Sequence, residues 1–166
     1  MYKQHLLNSI EKEISICKRL YTKIPKDQMH FRPKEGMRSM LELLQYVTMI
    51  GAAMPGYWMQ EQEMHFGTFF GKQGEAAKGI SEDIFLTAMD KQMNEINNIF
   101  SKITEDDLYQ KEITYPWGAK DPLGEGIINT SIKFLSAYKL QLFMYIKLCT
   151  VQQLGTADAW VLTVFP

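Results

Sequence analysis

Apolar side chains recur at every third or fourth position over residues 3–24, where Leu6, Leu7, Ile10, Ile14, Cys17, Tyr21 and Ile24 fall on one stripe. That is the period of a helix with one buried face. Pro25 stops it, since a proline has no amide hydrogen to continue the ladder. The stretch PKDQMHFRPKEG that follows is dense in turn formers, and Ser39 with Glu42 three residues later forms a capping box. A second helix therefore starts at Ser39 and turns Met40, Leu43, Leu44, Val47 and Ile50 inward. Pro55 is expected to kink or end it, leaving a frayed or bent second half. Residues 66–80 carry four glycines and are assigned no helix. Ser81 then caps a third helix, with Phe85, Met89, Gln92, Ile96, Ile99 and Ile103 at helical spacing and an end near residues 101–103. A short turn at 104–108 leads into KEITYPWGAKDPLGEG, whose prolines and glycines forbid a helix but allow a strand-like fragment at 112–115. This long ordered connection is expected to lie over one end of the molecule. The fourth helix, residues 126–150, aligns Ile127, Ser131, Phe134, Tyr138, Gln141, Tyr145 and Cys149, flanked by Ile128, Leu135, Leu142 and Ile146.

Four such helices satisfy their stripes by packing around a common core, which predicts an all-α four-helix bundle forming one domain over residues 1–166. The apolar tail TADAWVLTVFP, residues 156–166, is expected to pack against the bundle or a second subunit. Composition agrees with a globular domain: 46% of residues are hydrophobic and 22% charged. Eighteen Lys plus Arg against 19 Asp plus Glu leave a formal charge of -1, which gives no bulk attraction to nucleic acid or anionic lipid. Polar residues interrupt every apolar run short of a membrane span. MYKQHLLNSIEKE lacks the apolar stretch of a signal peptide, and the only cysteines, Cys17 and Cys149, sit in helical patterns. A soluble cytoplasmic protein with reduced thiols is the expectation.

Two segments are more specific, KIPKDQMHFRPKEGMRSMLELLQYV at 23–47 and TYPWGAKDPLGEGIINTSIKFLSAYKLQLFMYIKL at 114–148, and both resemble the DinB-like (YfiT-type) superfamily of helical metalloenzymes. In the first, Ile24, Pro25, Phe31, Arg32, Pro33, Gly36, Ser39 and Glu42 match the family's proline-led start, turn and capped second helix. The family's histidine, seven residues beyond that serine, falls on Tyr46. In the second, Gln141, Leu142, Ile146 and Lys147 hold the register of the fourth-helix signature and Lys139 stands where the family has arginine. Its two histidine positions fall on Phe134 and Tyr138. The resemblance extends over most of residues 5–155 and implies a bundle in which those three positions meet.

In members with all three histidines, the resemblance implies one divalent metal, usually nickel, zinc or iron, serving thiol transfer, isomerisation or hydrolysis. Two imidazoles at i and i+4 share a helix face and a third comes from a neighbouring helix. Phenylalanine has no donor atom and a phenol with a pKa near 10 is a weak ligand at neutral pH, so the inherited site is expected to hold no metal and no other cofactor. An aromatic cluster could fill the volume, each phenol seeking a partner such as Gln45 or Gln141. Alternatively Tyr46, Trp58, Phe134 and Tyr138 could line a small-molecule pocket. His5, His30 and His65 have nothing to bring them together. Glu61, Glu63 and His65 read as a solvated helix end, the two cysteines as inert thiols, and the eleven methionines as core filling rather than copper ligands. Three functions remain open: a non-catalytic small-molecule binder, a metal-dependent transferase or hydrolase using displaced ligands, and a homodimeric interaction module.

Overall fold

The computed structural model describes residues 1–162. Helix α1 spans Tyr2–Tyr21 and buries Leu6, Ile10, Ile14, Ile16, Cys17 and Leu20; Ile16 and Leu20 join the stripe read from the sequence, while its Leu7, Tyr21 and Ile24 are only half-buried. Helix α2, Met40–Trp58, opens on the expected capping box: the Ser39 hydroxyl accepts from the Glu42 amide at 3.2 Å, and the Ser39 amide donates to the Glu42 carboxylate at 2.7 Å. Pro55 does not end it. The helix runs on to Trp58, and residues 51–55 are all buried rather than frayed.

Residues 66–80 depart from the glycine-based expectation. Helix α3, Phe66–Lys78, forms there, started by His65, whose ring nitrogen accepts from the Gly67 amide. Packing overrules propensity: Ala77 and Phe70 sit against Met49 and Ala53 of α2. A 3-10 turn at Glu82–Ile84 precedes α4, Phe85–Ser101, which buries Phe85, Met89, Gln92, Ile96, Ile99 and Phe100. The predicted turn near residue 104 is a short helix, α5, Glu105–Gln110, closed by a second capping box between Thr104 and Asp107. The strand-like fragment is β1, Glu112–Thr114, paired antiparallel with β2, Lys120–Pro122. Gly118 at φ +92° allows the hairpin's turn, a backbone region that other residues avoid.

The last long helix starts earlier than predicted, at Leu123 after Pro122, and has three parts: α6 (Leu123–Ile127), a π turn (Ile128–Ile132) and α7 (Lys133–Cys149). The long helices form a closed ring, α1 against α4, α4 against α2, α2 against α7 and α7 against α1, around one hydrophobic core. Gln92 pins α4 to α2: its carboxamide accepts from the Gly51 amide at 2.8 Å and donates to the Val47 carbonyl at 3.1 Å. These are the two groups that an uninterrupted helix joins to each other. The hairpin lies across one end, where the Trp58 indole donates to the Thr114 carbonyl at 3.1 Å. A final turn, α8 (Thr156–Trp160), folds back on α1 and α7, so this part of the apolar tail packs on its own bundle. The rest of the tail, residues 163–166, lies outside the described residues. No helix among the described residues is long and apolar enough to cross a membrane.

Candidate functional site

The capping box at Ser39 fixes the phase of α2 and places Tyr46 two turns in, facing α7. Tyr138 comes from α7, one turn beyond Phe134. The rings of Tyr46 and Tyr138 meet edge to face, with centroids 4.7 Å apart at 68°, a favoured aromatic geometry. Arg38, just before the cap, lays its guanidinium over the Tyr46 ring at 4.1 Å and lies 5.7 Å from the Tyr138 ring. Burial, and secondly the Tyr138 phenol beside it, push the Tyr46 hydroxyl up to about 12. It therefore stays protonated at neutral pH.

Beside Tyr46 an open cleft of about 380 Å³ lies between the turn at residues 32–38, α2 and α3. Its walls include Arg32, Arg38, Glu42, Met49, Ala77 and Lys78. Glu42 is already engaged: the Ser39 amide holds its carboxylate below the usual range, and Arg32 pairs with it at 2.9 Å. Lys78 pairs with Glu75 on the surface. The Arg38 guanidinium has no hydrogen bond or carboxylate partner among the described residues.

The glutamines expected to serve the phenols do otherwise. Gln45 donates to the carbonyls of Lys78 and Ile80, at 3.0 and 2.9 Å, and so ties the end of α3 to α2. Gln141 donates to the Tyr145 hydroxyl, which donates to the Arg38 carbonyl. Backbone carbonyls thus take Gln45, and a different phenol, that of Tyr145, takes Gln141. Phe134 is half-buried against the common core. Trp58 is not gathered with the others: it lies twelve residues along α2 from Tyr46, about 18 Å at helical rise, against Tyr115 and the hairpin.

Glu61, Glu63 and His65 do not extend the end of α2; they fall in the loop between α2 and α3, where Glu61 pairs with Lys102 and His65 caps the start of α3. Among the described residues no group of three or more His, Cys, Asp or Glu side chains is arranged to hold a metal ion. Periodicity gave no hint of a buried ion pair between α1 and α7. The fully buried Lys139 ammonium lies 2.7 Å from the Glu13 carboxylate, without the alignment of a directed hydrogen bond, and 4.0 Å from the ring centre of Trp160. Nearby Cys17 has its thiol pushed up to about 12, by burial first and by Glu13 second, with Lys139 opposing.

No protein-family model matches the chain, and no curated protein matches it in sequence. Among solved structures, the crystal structure of a DinB-like protein, YjoA, from Bacillus subtilis superposes with a TM-score of 0.65 at 16% identity, covering 91% of this chain and 96% of that one. At that identity the likeness is one of fold.

Proposed function

On a DinB-like all-α fold, we propose that this chain is a small-molecule-binding module that has lost the metal chemistry of histidine-bearing relatives. The three positions that the sequence resemblance assigns to imidazoles hold Tyr46, Phe134 and Tyr138. These residues do not fit a divalent ion: phenylalanine offers no donor atom, and the Tyr46 phenol keeps its proton well above neutral pH. The observation that carries the reading is the Tyr46–Tyr138 edge-to-face pair, with an open cleft beside it. Aromatic rings and an adjoining concave surface with a few polar groups are the usual ingredients of a ligand site. Metal analysis of protein purified without chelator tests the claim, together with melting scans in nickel, zinc, iron(II) and manganese. No stoichiometric metal and no shift in Tm are expected; a bound ion at one per chain would instead support a metal-dependent transferase or hydrolase built on displaced ligands.

A second reading, that the chain pairs with a copy of itself, rests on α7. There Leu140, Met144 and Leu148 are 42%, 46% and 61% exposed and follow one another at four-residue spacing on the outer face. Contiguous exposed apolar surface of this kind marks interaction sites. Light scattering on the full chain is expected to report a dimer that Met144→Glu with Leu148→Glu converts to a monomer; an unchanged mass for the variant would remove the reading.

A further inference from the structure

Resting on the binding reading above, we infer that the cleft beside Tyr46 selects a small organic carboxylate with a flat apolar body, with Arg38 as the group that pairs with the carboxylate. The chain as a whole is slightly acidic, but this cleft is not: Arg32, Arg38 and Lys78 line it against the single carboxylate of Glu42. Two of those cations are paired already, Arg32 with Glu42 and Lys78 with Glu75. Among the described residues, Arg38 is the one of the three held in place without a carboxylate partner. Its guanidinium rests on the Tyr46 ring at 4.1 Å, which orients the planar fork and leaves its N–H donors unspent.

The position is electrostatically costly for a cation. Arg38 immediately precedes the N-cap of α2, where the helix dipole presents its positive end and disfavours further positive charge. A bound anion would relieve both. The helix end itself has no donor to spare: the amides of Ser39, Met40, Leu41 and Glu42 are taken by the Glu42 carboxylate, the Phe31 carbonyl, the Met29 carbonyl and the Ser39 hydroxyl. The helix thus supplies field, and Arg38 supplies the directed bonds. Met37, Met49, Ala77 and the Tyr46 ring give the cleft its apolar part, which suits an aromatic or alicyclic body rather than a bare inorganic ion.

The test compares 2-naphthoate with its neutral isostere 2-naphthamide by calorimetry on the full chain at neutral pH. The carboxylate is expected to bind about tenfold tighter than the amide, the size of a charge-assisted pairing at a partly exposed site. Arg38→Met should abolish that preference, Arg38→Lys should keep part of it, and Lys78→Gln should leave it nearly intact. Arg38 is exposed and its side chain makes no hydrogen bond among the described residues, so these variants should keep the wild-type circular dichroism and urea midpoint. Equal binding of the two probes overturns the inference but spares the binding reading, as does a preference that survives Arg38→Met or falls equally with Lys78→Gln. Failure of both probes to bind wild-type protein overturns both readings, whereas a resident metal ion overturns only the claim of lost metal chemistry.

Discussion

Replacing Lys139 with methionine keeps the length of the side chain and its packing while deleting the ammonium. Glu13 then loses the cation 2.7 Å away. Breaking one side of a buried pair typically costs about 3–5 kcal/mol, because the remaining charge is left without compensation. The Glu13 side chain keeps 17% of its surface in contact with solvent and can recruit water, so the low end applies, about 3 kcal/mol. Loss of the cation over the Trp160 ring adds about 0.5–1 kcal/mol. With a urea dependence of about 2 kcal/mol per molar, the midpoint of unfolding should fall by about 1.5–2 M. Combining Lys139→Met with Glu13→Gln removes the stranded charge and should recover most of the loss. A single variant costing less than about 1 kcal/mol, or a double variant no better than the single, would refute the view that the pair is buried and mutually dependent.

Gly51→Ala should destabilise by about 1–3 kcal/mol, since its Cβ would meet the Leu135 Cδ1 at 2.9 Å and the Gln92 Oε1 at 3.0 Å. Gly71→Ala in α3 has open space around it and should instead stabilise by about 0.5–1 kcal/mol; thermal melts of both check the pair. Cys17 titrates in the unfolded chain near 9 and in the folded protein near 12, so its contribution to stability is complete below pH 9 and is lost as pH rises through 12. Urea midpoints across that window should fall less steeply in Cys17→Ala than in wild type, and a thiol reagent at neutral pH should leave Cys17 unmodified until the protein unfolds.

The bundle could be read in the chain because its helices satisfy simple one-face periodicity. The stripe on α4 matches the buried residues closely, whereas on α7 the buried line is Leu135, Lys139, Leu142 and Ile146 and the predicted Phe134, Tyr138 and Gln141 are only half-buried. What escaped were places where a tertiary contact outweighs a local preference. Three glycines argue against a helix at 66–78, but the docking of Ala77 and Phe70 on α2 supplies what propensity withholds. Pro55 should kink or end α2, yet the buried run from residue 51 to residue 55 carries the helix on to Trp58. At the site, one capped segment and one that holds the fourth-helix register were enough to bring Tyr46 and Tyr138 to the same place. Arg38 was missed because an exposed arginine in a turn leaves no periodic trace; the clue was its position directly before the serine cap. Trp58 was grouped with the tyrosines on residue type alone, and helical rise separates them. The Lys139–Glu13 pair needed the relative rotation of two helices, which no single stripe encodes.

The π turn at Ile128–Ile132 sets the angular phase of everything after it. One surplus residue in a helix turns all later side chains by about 100° about the axis. Excising a residue there would leave α7 helical and equally apolar but would swing Tyr138 off Tyr46 and Lys139 off Glu13 together, so the aromatic contact and the ionic one share a single geometric origin in this irregular turn.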